Sequence, residues 1–252
     1  MDITVSWGLV ALAAAAALVG FSKTAVSGAN TVSLAVFAAV LPARESTGVL
    51  LPILIAGDVV AVLTYRRHAH WPTLLRLFPA VAAGVVVGTV FLFWADDQVV
   101  RTSIGAILLL MAGVTALRRR SGGDEEPSSS ESRRRGRLKA RSYGVLSGFT
   151  TMVANAGGPV MSLYLLSAGF RKLGFLGTSA WFFLIVNVSK VPFSVGLGLI
   201  DRTSLLLDAV LVLFVLPGAM LGKWCADRID QVLFERLVIA ATVLGGLQLL
   251  LF

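Results

Sequence analysis

Cysteine, histidine and the motifs of catalysis are almost missing from this chain. Its 252 residues include one cysteine, Cys225, and two histidines, His68 and His70. A single cysteine excludes a disulfide within the chain and a cysteine-based metal cluster. The two histidines stand beside arginines with no third ligand nearby, and the chain has neither a P-loop for nucleotide phosphates nor a nucleophile motif. The sequence therefore predicts no cofactor, no metal site and no enzyme.

Charged residues are also scarce, at 14%, whereas 56% of the residues are hydrophobic and the mean hydropathy is +0.84. A soluble core of this length needs much less apolar surface, so the composition predicts an integral membrane protein. Since the strands of a membrane β-barrel would be shorter and half polar, the apolar runs predict an all-α polytopic membrane protein. Seven runs approach the roughly 20 residues of a spanning helix, namely Ile3–Val19, Thr47–Tyr65, Leu74–Trp94, Val99–Leu117, Phe175–Leu197, Ser204–Trp224 and Val232–Leu251.

The formal net charge of +8 is concentrated in one segment between two apolar halves. Nine basic residues crowd there: Arg118, Arg119, Arg120, Arg133, Arg134, Arg135, Arg137, Lys139 and Arg141. The other Lys and Arg residues flank or lie within apolar segments, so no basic domain is left to bind nucleic acid. We expect a transmembrane repeat at residues 1–117, a solvated cytoplasmic linker at 118–142 with minor contact to anionic lipids, and a second repeat at 143–252. The composition of Ser121–Ser130 predicts disorder.

The N-terminal apolar run is expected to stay in the protein. Met1 to Phe21 has no positive charge before its apolar stretch and carries Asp2 instead. A secretory signal peptide would begin with a positively charged region. We therefore interpret this run as a retained membrane segment.

The two halves share residues as well as hydropathy, which predicts two homologous repeats. Two glycine pairs with a spacing of four, one pair in each half, would let helices pack closely. The corresponding positions are Gly20-Phe21 and Gly148-Phe149, Gly28 and Gly157, Asp58 and Asn187, Gly84/Gly88 and Gly218/Gly222, Asp97-Gln98-Val99 and Asp230-Gln231-Val232, and Gly113 and Gly246.

Each half opens with a glycine-containing break in an apolar run. The breaks are Ser27–Asn30 and Asn155–Pro159, and each is followed by an apolar stretch too short to cross a bilayer. This pattern predicts that each repeat is a broken-helix hairpin plus three transmembrane helices. Broken helices of this kind form the central binding sites of many secondary transporters.

The distribution of Lys and Arg favours the hairpin in the second half. Positive loops tend to stay cytoplasmic. If Tyr143–Gly169 crossed once, only Arg202 of that half would face inward; if it is a hairpin, only Arg202 faces outward. Three full crossings per repeat then invert the second repeat relative to the first. A parallel arrangement of eight helices stays open, because Ile3–Val19 is long enough to span nearly alone.

Four ionisable residues lie within apolar runs, where they are costly and usually face a partner or a cavity: Lys23, Asp58, Lys190 and Asp208. Lys190 shares a helix face with Asn187, three residues before it. Asp58 and Asn187 are repeat-equivalent and should lie at the same depth. Free amides and positive helix ends at the breaks favour an anion. We therefore expect a substrate site formed by Lys23, Gly28, Asn30, Asn155, Gly157, Gly158, Asn187 and Lys190, with Asp58 as the coupling carboxylate.

Simpler structural roles stay open for most of these polar residues. Lysines can extend to the membrane interface, prolines free carbonyls for nearby donors, and asparagines cap helices. The alternatives are an interfacial Lys23, a Lys190 bonded to a carbonyl freed by Pro192, an end-of-helix Asp208, an Asp58 that only pairs with a lysine, and helix caps at Asn30 and Asn155.

Taken together, these motifs resemble the TauE/SafE-type sulfite and organosulfonate exporters. The resemblance rests on the duplicated hairpin unit, the paired Gly-Phe segments and breaks, Gly174-Phe175-Leu176-Gly177-Thr178-Ser179, and the Gly-xxx-Gly before Asp-Gln-Val. It covers nearly the whole chain outside the linker. In that family both hairpins usually carry a glycine-rich run followed by proline. Here only Gly157-Gly158-Pro159 keeps it, while the first break has Gly28-Ala29-Asn30.

The resemblance implies a multi-pass protein of the cell inner (plasma) membrane that exports a small sulfur-containing anion by ion-coupled alternating access. Sulfite, sulfoacetate or another organosulfonate would be the substrate. The expected partners are this anion, the lipid bilayer and a coupling proton, with a homodimer as an option and no nucleic acid. Two other classes stay open: a passive anion channel, which would conduct without saturation, and a membrane-embedded enzyme or accessory subunit.

Overall fold

The computed structural model describes residues 3–25, 30–41, 43–92, 94, 99, 102, 106, 129–196, 198, 200 and 202–251. Within these residues the chain is helical and contains no β-strand, which confirms the all-α prediction. Most of the predicted span Val99–Leu117 lies outside them. The helices are α1 (Ile3–Thr24), α2 (Asn30–Val40), α3 (Ala43–Tyr65), α4 (Trp71–Leu92), α5 (Ser129–Ala154), α6 (Gly157–Ser167), α7 (Lys172–Gly196), α8 (Arg202–Arg228) and α9 (Gln231–Leu251), with a 3-10 turn at Arg66–His68.

Five of these helices contain segments long and apolar enough to cross a membrane: Trp7–Thr24, Gly48–His68, Trp71–Phe91, Lys172–Gly196 and Ser204–Arg228. Helix α8 shows how such a segment is divided between lipid and protein. Leu206, Leu213 and Met220 recur at seven-residue spacing and are exposed, whereas Leu211 and Val215 are buried. An exposed apolar stripe of this kind is suited to lipid, so the chain is a multi-pass membrane protein.

The chain forms two compact units that do not follow its two sequence halves. The first unit contains Met1–Ala69 and Arg171–Ala241, and the second contains His70–Phe170 and Thr242–Phe252. Each unit therefore combines helices from the first half of the sequence with helices from the second half.

In the first unit, glycines allow α1 and α8 to pack backbone against backbone. A Cβ atom at Gly20 would lie 2.8 Å from the amide nitrogen of Ala219, and one at Gly218 would collide with the carbonyl of Ala17. The Thr24 hydroxyl, at the end of α1, donates a hydrogen bond of 2.8 Å to the carbonyl of Ala219. Close approach through small residues is a common way for membrane helices to associate.

The second unit repeats this interface between α4 and α5. A Cβ atom at Gly148 would collide with the carbonyl of Val81, and one at Gly84 would collide with the carbonyl of Val145. Gly148 is the repeat equivalent of Gly20, and Gly84 is the equivalent of Gly218. The packing role expected of these glycines is confirmed, and the duplication extends to the contacts they make. The inverted direction of the second repeat stays a prediction.

The first helix of each half is followed by a short helix that packs against it. Helices α2 and α6 have 11 residues each, which is about 16 Å of helix, about half of the bilayer core. The end of α2 returns to the start of α1, since a Cβ atom at Gly8 would lie 3.4 Å from the Val40 side chain. In the second unit the ring of Tyr143 on α5 lies 5.6 Å from that of Tyr164 near the end of α6.

Helix α5 begins at Ser129, inside the segment predicted as a linker. Ser129 and Ser130 are helical, so the disorder predicted for Ser121–Ser130 is wrong for these two residues; 121–128 lie outside the described residues. The basic segment that follows is rich in Arg, Leu, Lys and Ala, which are good helix formers.

Candidate functional site

A buried polar cluster lies within the first unit, where α1, α3 and α7 supply Lys23, Asp58, Asn187 and Lys190. The Asp58 side chain is fully buried. Its Oδ1 forms an ion pair of 2.7 Å with Lys23 Nζ, and its Oδ2 accepts a hydrogen bond of 2.7 Å from Asn187 Nδ2. Each oxygen of the carboxylate is thus engaged by a different helix. We call these four residues the lysine–aspartate cluster.

The packing of α3 against α7 explains why two of these residues meet. Asp58 and Asn187 occupy equivalent positions in the repeats, and their hydrogen bond confirms that they lie at the same depth. Gly57 makes room for the third residue, because a Cβ atom there would come within 3.1 Å of Lys23 Cγ. The stem of Lys23 therefore runs inward to Asp58, and the alternative of an interfacial lysine is wrong.

Lys190 brings a second positive side chain to the cluster. It is only 3% exposed and interacts electrostatically with both Lys23 and Asp58. Among the residues that the structure describes, the cluster holds two lysines and one carboxylate, so its ionised form carries an excess positive charge. A buried site with this charge favours a small anion over a cation.

Two aromatic residues of this site were not predicted from the sequence. The Phe183 ring lies 4.5 Å from Lys23 Nζ, at a distance where an aromatic face attracts a cation. The Tyr65 hydroxyl donates a hydrogen bond of 2.9 Å to the carbonyl of Thr24, at the end of α1. Phe183 shares a face with Asn187 and Lys190 through a four-three spacing, which could have identified it. Tyr65 has no such signal, because its role depends on how α1 and α3 pack.

The first break is only partly described. Gly28 lies outside the described residues. Asn30 is the first residue of α2 and is buried, and its Oδ1 has no hydrogen-bond partner in the described part of the chain. The hydroxyl of Ser33, one turn later, is also buried and has no hydrogen-bond partner in the described part of the chain. The Asn30 oxygen therefore does not cap the helix.

The second break belongs to the second unit. Asn155 has a φ of 51°, the left-handed conformation that often ends a helix, and its N–H donates a hydrogen bond of 3.1 Å to the carbonyl of Thr151. Gly157 begins α6 where a Cβ atom would lie 2.8 Å from Thr151 Cβ. Gly158 follows it and is partly exposed. The first backbone amides of an α-helix have no partner within the helix, so the start of α6 is a place where an anion could be bound.

Asp208 is buried on α8 in the first unit and is 3% exposed. Neither of its carboxylate oxygens has a hydrogen-bond partner in the structure as described. Within the described residues, no hydrogen bond supports the alternative of Asp208 as an end-of-helix or loop contact.

The described residues contain no group of three or more His, Cys, Asp and Glu side chains that could hold a metal. His70 Nδ1 lies 2.8 Å from the hydroxyl of Thr73 within its own turn. With two lysines and one carboxylate, the lysine–aspartate cluster could bind a charged solute.

Comparison with known proteins agrees with this conclusion. The family described as "Sulfite exporter TauE/SafE" matches residues 12–249 of the chain, which includes every residue of the lysine–aspartate cluster. No curated protein and no solved structure matches the chain.

Proposed function

Because the chain belongs to the TauE/SafE sulfite exporter family, we propose that it is a secondary transporter that exports a small sulfur-containing anion, sulfite or an organosulfonate, across the cell inner (plasma) membrane. The observation that carries this proposal is the lysine–aspartate cluster, a buried site that holds two lysines and one carboxylate.

The substrate anion is bound by Lys23 and Lys190 in this proposal. A sulfonate or sulfite group presents three oxygens, which can accept hydrogen bonds from two ammonium groups at once. Asp58 holds Lys23 in place through their ion pair, and Asn187 fixes the other oxygen of Asp58. A negative charge alone in the bilayer interior would be strongly disfavoured, so an anion is stable there only beside such groups.

In each unit, the backbone amides of its own break are further proposed anion donors. Asn30 at the start of α2, and Asn155, Gly157 and Gly158 at the start of α6, border helix N-termini, which carry a partial positive charge. Alternating access would follow from rearrangement of the two inverted repeats.

The test is a flux assay with the purified protein in liposomes, using sulfite, sulfate, thiosulfate and sulfoacetate. We expect saturable uptake and counterflow of sulfite or an organosulfonate. Lys190→Met keeps the length of the side chain and deletes its charge, so it should fold and lose affinity for the anion, whereas Lys190→Arg should retain part of the activity. Lys223→Met, at an exposed position on α8, is the matched control and should behave as wild type.

Three results would contradict the proposal. Flux that rises linearly with concentration and shows no counterflow would indicate a channel. Equal transport by wild type and Lys190→Met would remove the lysine from the site. Absence of flux for every sulfur-containing anion would exclude the substrate class.

A further inference from the structure

We infer that Asp208 is a proton-binding carboxyl of the transport cycle, protonated in the conformation described here and ionised when a rearrangement brings it to water. This inference rests on the proposed function, because it gives the transporter a site for a coupling proton. It assigns that proton to α8, away from the lysine–aspartate cluster.

The first observation is the environment of Asp208. The residue lies in the candidate span Ser204–Arg228, is 3% exposed, and has neither oxygen hydrogen-bonded in the described part of the structure. Its neighbours Leu207 and Leu211 belong to an apolar cluster that includes Leu12 and Phe37. An ionised carboxylate without a partner is strongly disfavoured in such surroundings, whereas a neutral carboxylic acid is tolerated.

The second observation is the position of Asp208 on its helix. Asp208, Leu211 and Val215 are all buried and follow one face of α8 at helical spacing. Val215 on this face contacts Gly20 of α1. Asp208 therefore lies on the face that packs against α1 and would reach water only if the helices around it rearranged. Its ionisation is thereby linked to a change of conformation.

Within the described residues, no charged side chain of the packed helices is hydrogen-bonded to Asp208. On its own helix, Arg202 has a side chain that lies outside the described residues. Helix α1 contributes Lys23, the residue before Thr24. Thr24 packs against Gly222, which lies about 20 Å along α8 from Asp208 at 1.5 Å per residue. Helix α3 contributes Asp58, which pairs with Lys23, and Arg44 and Glu45, whose side chains lie outside the described residues. Helix α2 has no titratable side chain.

Asp58 is less suited to carry the proton. Its two oxygens are held by Lys23 and Asn187, and the ion pair with Lys23 requires a negative charge. Protonation of Asp58 would release Lys23, whereas protonation of Asp208 breaks no contact in the structure as described. The proton step itself is simple: an O–H bond forms at Asp208 with a proton from water on one side of the membrane and breaks to water on the other.

Infrared spectroscopy of the purified protein tests the protonation state without requiring transport. We expect wild type at neutral pH to show a protonated carboxyl band that shifts in D2O and is absent in Asp208→Asn. Asp227→Asn is the matched control, since Asp227 lies on the same helix and is 55% exposed; it should leave the band unchanged. A band that survives in Asp208→Asn and disappears in Asp58→Asn would overturn the inference.

Transport in liposomes tests the coupling. The probe is methanesulfonate, which keeps a single charge over the pH range used. Counterflow without a pH gradient is measured first, and net accumulation is then driven by a gradient of one pH unit, which gives about tenfold accumulation for one proton per anion. Asp208→Asn should retain counterflow and lose this accumulation, while Asp227→Asn should retain both.

The outcomes separate the two proposals. Absence of counterflow in wild type contradicts sulfonate transport, while the infrared result still decides the state of Asp208. Counterflow together with full proton-driven accumulation in Asp208→Asn overturns the role of Asp208 and leaves the proposed function intact. If Asp208→Asn does not fold, Asp208→Glu retains a carboxyl, and it should keep the infrared band and the accumulation.

Discussion

The ion pair between Lys23 and Asp58 should contribute far more to stability than the exposed ion pair between Lys223 and Asp227. The buried pair is separated by 2.7 Å with an Asp58 that is fully buried, while the second pair is 3.6 Å apart and more than half exposed. Removing one partner of a buried pair leaves an uncompensated charge and costs about 3–5 kcal/mol. An exposed pair one helical turn apart contributes only about 0.3–0.5 kcal/mol.

The test is a double-mutant cycle read by thermal unfolding in detergent. Lys23→Met and Asp58→Asn should each lower the Tm by roughly 6–20 °C, given about 2–4 °C per kcal/mol for a protein of this size. The double variant should recover most of this loss, because neither member of the pair is then left as a buried charge without its partner, and the amide oxygen that replaces the Asp58 carboxylate can still accept the hydrogen bond from Asn187. Lys223→Met and Asp227→Asn should shift the Tm by about 2 °C or less. Additive losses in the double variant, or single losses no larger than those of the exposed pair, would refute the reasoning.

Three further predictions concern topology, the glycines and Tyr65. In a Cys225→Ser background, Asp2→Cys and Phe252→Cys should react with an impermeant thiol reagent in intact cells and Ser129→Cys should not; opposite accessibility of the two termini would contradict the inverted repeat. Gly158→Val, at a partly exposed position, should impair transport more than folded yield. Gly84→Val and Gly218→Val should first lower folded yield, because their Cβ atoms would enter the backbone of α5 or α1; an equal loss of yield in all three would make the second break a packing element only. Tyr65→Phe removes the hydrogen bond to the Thr24 carbonyl and should lower the unfolding free energy by about 0.5–1.5 kcal/mol, measured by denaturant unfolding, with Tyr143→Phe as a control near wild type.

The features that could be predicted from the sequence are those present at equivalent positions of both repeats. Gly84 and Gly218 stand at equivalent positions, and their packing role was readable because a pair of glycines four residues apart recurs in each half. Asp58 and Asn187 were expected at one depth for the same reason, and they meet in a hydrogen bond.

Features that depend on which helices become neighbours were not predictable. Hydropathy identifies α1 and α3 as membrane segments, but it does not show how they pack together, so the hydrogen bond from the Tyr65 hydroxyl to α1 had no local signal. The burial of Asp208 was missed because its position near the start of α8 suggests a contact at the helix end, whereas the residue is 3% exposed. The start of α5 was missed because its serines and charges resemble a linker.

Each glycine interface joins a helix of the first half to a helix of the second half, and this affects how the protein assembles and how it could have evolved. Helix α1 comes from the first half and packs on α8 of the second, while α5 of the second packs on α4 of the first, through equivalent glycines. One half alone therefore holds a single side of each interface and should not fold by itself, although the halves expressed as separate chains should reassemble. An ancestor with one half would have satisfied these surfaces only with a second copy, as an obligate dimer. In a single chain the two equivalent positions can carry different residues, as Asp58 and Asn187 do.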